Sequence, residues 1–260
     1  MQVKDETVIQ VNHLTAGYGK REILHDLNFG VRRGEVFVII GGSGCGKTTL
    51  LKHLIGLLPP LQGEVWIEGE NIVAAEGEAR TRLLRRFGVV YQSGALFGSM
   101  TVMENVALPL AEFTDLPEAA REYVARSKLE VVGLGEAMDQ MPAELSGGMQ
   151  KRAAIARAMA LDPRLLFLDE PSAGLDPITS AGLDLLIREL AQYFGITFVI
   201  VSHDLQSIYA IADRVIMLDT QTRTIIAEGT PAKLREQTTN AAVRRFFHRE
   251  ANPEQTMSGR

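Results

Sequence analysis

Gly41-Gly42-Ser43-Gly44-Cys45-Gly46-Lys47-Thr48-Thr49 carries the strongest chemical pattern in this 260-residue chain, because it meets the P-loop spacing G-x-x-x-x-G-K-[ST] in full. The chemistry that spacing serves is nucleoside-triphosphate binding. Glycines let successive backbone N–H groups curl around phosphate oxygens with no Cβ in the way, and a following helix presents its positive end to the same anion. Lys47 adds a point charge for the β- and γ-phosphates, and Thr48 a hydroxyl for Mg²⁺. The competing reading is a glycine-rich structural turn. Context weighs against it: Val36-Phe37-Val38-Ile39-Ile40 is a buried-strand run just before the loop, and Leu50-Leu51-Lys52-His53-Leu54-Ile55 continues helically after it.

Three further apolar runs end on residues able to do chemistry. Phe87-Gly88-Val89-Val90-Tyr91 ends on Gln92, Leu165-Leu166-Phe167-Leu168 on Asp169-Glu170, and Thr197-Phe198-Val199-Ile200-Val201 on Ser202-His203-Asp204. Continuous apolar runs of this length suit strands buried on both faces of a parallel sheet, and open α/β sheets bind ligands beyond the carboxyl ends of their strands. Taken singly, His203 could be a structural histidine and Asp169-Glu170 a surface pair. Four strand ends obeying one rule point instead to one site.

The elements that must position these residues follow from the remaining patterns. Val8–Val11 and Ile23–Phe29 read as strands separated by the turn Ala16-Gly17-Tyr18-Gly19, a small β layer ahead of the P-loop. Tyr18 in that turn could stack on a nucleobase or be ordinary loop packing. Gly63–Gly69 adds an alternating strand and Gly77–Arg86 a short charged helix. Between about Thr101 and Leu145 the pattern turns helical, with Asp115 before Pro117 as a helix start and Ala119/Ala120, Tyr123/Val124 and Val131/Val132 spaced for one buried face. Ser146-Gly147-Gly148 then opens a helix over Met149–Ala160, either as plain capping or as a second anion site. Thr179–Tyr193 reads as a helix, Val215–Leu218 and Thr224–Ala227 as an edge hairpin, and Pro231 to about Glu250 as helices whose Val243, Phe246 and Phe247 dock on the domain. The segment Gly94–Met100 is apolar for a loop, so Leu96 and Phe97 need cover, either from the helical insert's own core or from a partner.

Composition bounds the function. A chain that is 46% hydrophobic and 23% charged can bury a full core, and its net charge of −5 argues against a nucleic-acid partner, whose phosphates would call for a basic surplus. No run approaches a membrane span, the start Met1–Glu6 lacks a signal-peptide core, and a single cysteine excludes an internal disulfide. A cytoplasmic setting is expected.

Together these motifs resemble the ATP-binding-cassette (ABC) ATPase family over nearly the whole chain. Leu145-Ser146-Gly147-Gly148-Met149-Gln150 is similar to its signature, Gln92 to its Q-loop, Leu165–Asp169 with Glu170 to its Walker B run, Ser172–Asp176 to its D-loop and His203 to its switch histidine. Met149 departs from the glutamine most members carry. The resemblance implies a P-loop NTPase α/β core with a mainly parallel sheet, an N-terminal antiparallel β layer and an inserted helical subdomain at about 101–160. It implies one domain over 1–250, with 251–260 read as a disordered tail. ATP and Mg²⁺ are the implied cofactors. Gly41, Gly42, Ser43, Gly44, Cys45, Gly46, Lys47, Thr48 and Thr49 would hold the phosphates and Tyr18 the adenine. Thr48, Gln92 and Asp169 would hold the metal; Glu170 would polarise water and His203 contact the γ-phosphate. Ser146, Gly147, Gly148 and Asp176 would also contact nucleotide, the Ser146 helix start meeting the ATP of a second copy in a head-to-tail homodimer.

Within that family, Gln92–Phe97, Asn105–Leu110, Glu170-Pro171 and Asp176-Pro177-Ile178-Thr179 look like the ATPase of the bacterial Mla or mammalian-cell-entry (MCE) lipid transporters. That likeness implies inner-membrane permease partners, an MCE-domain lipid-binding protein, a hydrophobic cargo and a place on the cytoplasmic face of the inner membrane. Composition and spacing themselves carry no lipid signal. A transporter ATPase for a polar solute would look almost the same, while a soluble ABC protein acting on ribosomes or DNA would bring tandem cassettes, coiled-coil arms or basic extensions.

Overall fold

The structure is a computed structural model and describes residues 6–250. Its first sheet is antiparallel, built from β1 (Thr7–Tyr18), β2 (Arg21–Arg32), β4 (Gln62–Ile67) and β5 (Glu70–Asn71) in the order β2-β1-β4-β5. The turn between the first two strands is shorter than expected. Tyr18 pairs with Arg21, so Ala16, Gly17 and Tyr18 belong to β1 and only Gly19 and Lys20 lie between the strands.

The second sheet has the order β10-β9-β3-β8-β7-β6, made of β3 (Val36–Gly41), β6 (Phe87–Val90), β7 (Leu165–Asp169), β8 (Thr197–Val201), β9 (Arg214–Leu218) and β10 (Ile225–Gly229). All neighbours are parallel except the edge pair β9–β10. Every residue of β3, β7 and β8 is buried, as strands covered on both faces require. The two-residue period divides them: Val36, Val38, Ile40, Leu166, Leu168, Phe198 and Ile200 face one core, and Phe37, Ile39, Leu165, Phe167, Val199 and Val201 the other. The second core is shared with the antiparallel sheet and with α1 (Lys47–Leu54). After α2 (Gly77–Leu84) and β6, the first core is closed by α3 (Val102–Phe113), α4 (Glu118–Val131) and α5 (Gly147–Ala158), with α6 (Pro177–Phe194) and α7 (Leu205–Ile211) following. The helices α8 (Pro231–Gln237) and α9 (Ala241–His248) complete the described chain. The mainly parallel sheet, the antiparallel layer and the helical insert are those expected; residues 251–260, read as a tail, lie outside the described residues, as do the first five.

Two details of the insert differ from expectation. Pro117, not Asp115, occupies the cap position of α4, because proline's fixed φ suits the chain just ahead of a first turn. The buried face of α4 carries Ala125 and Leu129, with Val124 packed against the core and Val132 buried just beyond the helix, while Tyr123 is 73% exposed and Val131 is exposed, so only the second member of these two expected pairs faces inward. Helix α3 starts on a capping box: the Thr101 hydroxyl accepts from the Glu104 N–H at 3.1 Å, and the Glu104 carboxylate accepts from the Thr101 N–H at 2.7 Å. Strand β6 needs a glycine at 88, since a Cβ there would lie 2.2 Å from the Ala158 carbonyl oxygen at the end of α5.

His53 fastens α1 to the end of β1. It is fully buried; Nε2 lies 3.0 Å from the Gly17 nitrogen and 3.2 Å from the Gly17 carbonyl oxygen, and Nδ1 lies 3.0 Å from the Leu58 carbonyl oxygen. Burial pushes its pKa down, against the smaller opposing pull of backbone bonds to Leu58 and Gly17. A histidine whose folded pKa lies below its unfolded one gives stability that is present above the unfolded value, about 6.5, and is lost as pH falls. The urea midpoint is therefore expected to drop as pH falls below about 6.5, and His53→Gln to flatten that drop. Asp169 and Asp184, whose carboxyl pKa values burial raises, act in the opposite sense, so the comparison of the two chains isolates the histidine. An equal pH slope in both chains would refute the assignment.

Candidate active site

The loop between β3 and α1 is shaped by backbone that only glycine adopts without strain. Gly46, the residue capping α1, has φ +101°, and a Cβ there would sit 2.9 Å from Ile23 Cγ2. The first turn of α1 carries no acidic side chain, so its positive end stays open to an anion. Above it lies a cavity of about 570 Å³. Gly41, Gly42, Ser43, Gly44, Gly46, Lys47, Thr48 and Thr49 line it together with Gln92, Glu170 and His203. Four separate strand ends thus meet in one hollow.

The polar contacts around it are specific. The Lys47 ammonium donates to the carbonyl oxygens of Gly41 at 3.0 Å and Gly42 at 3.1 Å. The Thr48 hydroxyl donates to the Asp169 carboxylate at 3.2 Å. Burial raises the Asp169 pKa; the Thr48 bond and the ammonium groups of Lys52 and Lys47 pull it down, and neighbouring Glu170 pushes it further up. His203 Nδ1 lies 2.8 Å from a Glu170 carboxylate oxygen. Glu170 itself is buried and has φ +48°, a left-handed backbone that costs a non-glycine residue about 1–2 kcal/mol. Its N–H donates to the Val201 carbonyl at 2.9 Å, which ties this strained residue to the end of β8.

Other expected site residues lie elsewhere. The Cys45 side chain is buried and its thiol pKa is pushed up by burial, so that side chain does not line the cavity. Tyr18 stands beyond the Thr49 edge of the cavity, its hydroxyl 3.3 Å from Thr49 Oγ1 and the Lys52 ammonium 5.9 Å from its ring centre. Ser146 caps α5 by accepting from the Met149 N–H at 3.3 Å. Asp176 caps α6, accepting from the N–H groups of Ile178 at 3.0 Å and Thr179 at 3.1 Å; the Thr179 hydroxyl and these donors hold its pKa down. None of Ser146, Gly147, Gly148 and Asp176 lines the cavity of its own chain.

Two lining residues were missed by sequence reasoning. Ile23, near the start of β2, and Phe246 of α9 both reach the cavity wall, and Phe246 also packs on Phe247 at a ring separation of 5.4 Å. An apolar strand residue and one member of an amphipathic stripe carry no local sign of such a role. The donor set is otherwise oxygen-rich: a hydroxyl, two carboxylates and an amide suit a hard cation such as Mg²⁺, with a polyphosphate supplying its remaining ligands. The arrangement can hold a triphosphate, neutralise its charge and polarise a water molecule.

Residues 24–173 match the family described as ABC transporter. The chain belongs to the ABC transporter family. It is an ABC ATPase, and its similarity to curated members extends beyond the matched segment. It is 43% identical over 230 residues to the intermembrane phospholipid transport system ATP-binding protein MlaF of Haemophilus influenzae, covering 88% of this chain and 86% of that one. Against MlaF of Escherichia coli K12 it is 41% identical over 247 residues, covering 95% and 91%. Among solved structures, the dimeric post-hydrolysis state of the ATP-binding cassette MJ0796 bound to ADP and Pi has a TM-score of 0.76 at 30% identity, over 85% of this ABC ATPase and 98% of that chain.

Proposed function

We propose that this ABC ATPase is the motor of a bacterial transporter that moves phospholipid between the inner and outer membranes. The observation that carries this reading is the identity of 41–43% to two MlaF proteins over most of the chain. Residues 1–250 act as one ABC ATPase domain. The loop from Gly41 to Thr49 holds the phosphates of ATP, Tyr18 packs on the adenine, and Thr48, Gln92 and Asp169 hold Mg²⁺ directly or through water. Glu170 polarises the attacking water while His203, at 2.8 Å from it, contacts the γ-phosphate. Because Ser146, Gly147, Gly148 and Asp176 lie outside their own cavity, they serve the nucleotide of a second copy in a head-to-tail homodimer.

The proposed place is the cytoplasmic face of the inner membrane, held by permease subunits; among the described residues no helix is long and apolar enough to cross a membrane. An MCE-domain lipid-binding protein is the proposed further partner. Leu96 packs against the core, whereas Phe97 is 51% exposed with the Arg157 guanidinium 5.8 Å from its ring centre. That exposure supports Phe97 as a permease contact. Phe97→Asp is expected to leave melting temperature and ATP affinity close to wild type while reducing permease recovery in pull-downs about tenfold or more, as loss of an interface anchor does. Normal assembly and transport by this variant would remove the coupling role. Extracting the intact complex in detergent and identifying the bound cargo tests the larger proposal: phospholipid supports it, and a polar solute overturns it.

A further inference from the structure

The loop carrying Gln92 lies along one face of α5 and is held there by two cations. Lys151 is 6% exposed, and its ammonium donates to the backbone carbonyl of Gln92. Further along the same helix, the Arg157 guanidinium donates to the carbonyls of Gly94 at 3.0 Å and Ala95 at 2.8 Å. Between them, a Cβ placed on Gly94 would lie 3.7 Å from Ala154 Cβ. Residues 151, 154 and 157 share a helix face by their three-residue spacing. Gly94 and Ala95 are both in the left-handed region, at φ +72° and +50°, so the second of them keeps its conformation against a steric cost. The far end of the loop is held by Asn105 of α3, which accepts from the Phe97 N–H at 2.8 Å and donates to the carbonyls of Phe97, Met100 and Thr101.

Every one of these holds comes from the helical insert and none from the parallel sheet. Burial lowers the pKa of both cations; only for Lys151 do Asp169 and Glu170 offset it through space. A buried ammonium spent on a single backbone carbonyl, beside the carboxylates of the site, is costly unless it fixes something that matters.

We propose that Lys151 and Arg157 are positioning residues that clamp the Gln92 loop to the helix opened by Ser146, so that Gln92 and the Ser146 helix start move as one body. The placement of Gln92 in its own cavity is thereby linked to the presentation of Ser146 outside it. The proposal rests on the reading of the cavity as the ATP and Mg²⁺ site.

The test measures steady-state ATP hydrolysis by the full chain across a Mg²⁺ series. Lys151→Met, which keeps the length of the side chain and removes its donor, is expected to lower kcat by about ten- to hundredfold, as loss of a group orienting a metal ligand does, and to raise the Mg²⁺ needed for half-maximal rate. KM for ATP should change little, and Lys151→Arg should recover most of the rate. Arg157→Met, which keeps an apolar stem but removes the donors to both carbonyls, should shift the Mg²⁺ dependence in the same direction. Normal kcat and Mg²⁺ dependence in Lys151→Met, with Gln92→Ala impaired, would overturn the clamp and leave the site intact. A silent Gln92→Ala would instead overturn the site reading beneath it. If Lys151→Met fails to fold, Arg157→Met decides: a folded variant with unchanged Mg²⁺ dependence overturns the proposal.

Discussion

Glu170→Gln is expected to reduce ATP turnover by about 10² to 10⁴, equivalent to about 3 to 5 kcal/mol of barrier, the range a positioned general base contributes. The amide keeps the shape of the side chain and can still bond His203, which lies 2.8 Å from the carboxylate, but it is a poor proton acceptor. The backbone at 170 stays at φ +48° in either chain, so the conformational cost is shared and stability should differ little. The loss is therefore chemical. ATP binding should persist, and the variant should accumulate as an ATP-bound dimer in gel filtration; adding Ser146→Arg should abolish that dimer while the monomer still binds ATP. Near-normal turnover would place the base at another residue.

Lys47→Ala is expected to weaken Mg-ATP binding by about 2 to 5 kcal/mol, or about thirtyfold to several thousandfold, because a phosphate held in the cavity loses its charged partner. The Lys47 ammonium reaches over the carbonyls of Gly41 and Gly42, at 3.0 and 3.1 Å, and so lies across the mouth of the loop where phosphate oxygens would be received. Both glycines line the cavity, where water can replace the lost donor, so the melting temperature without nucleotide should change little. Calorimetric titration checks the affinity. Tight binding by the alanine chain would argue against this loop as the nucleotide site.

Much of the fold was legible in the sequence because its strongest elements are also its most local. The runs at Val36–Ile40, Leu165–Leu168 and Thr197–Val201 are continuously apolar, and a strand buried on both faces permits little else. The P-loop was legible because its backbone shape depends on glycines at fixed offsets. The buried face of α4 was less so: Ala125 and Leu129 are chosen by where α3 and α5 lie, and of the expected apolar pairs Val124 and Val132 pack inward while Ala119, Tyr123 and Val131 are left exposed. Strand β1 shows a second limit, since its extension through Tyr18 is set by pairing with β2 rather than by its own residues.

The sequence by itself determined the chemistry: a phosphate-binding loop, two acidic residues, a glutamine and a histidine, each at the end of an apolar run. Tertiary structure decided which other residues join them. Ile23 and Phe246 reach the cavity from β2 and α9, which are far apart along the chain, and Lys151 and Arg157 turn inward to backbone carbonyls instead of outward to water. The reason is physical: glycine spacing and apolar runs act within a few residues, whereas a wall contact or a buried cation's partner depends on distances that exist only once the two sheets and the insert have packed.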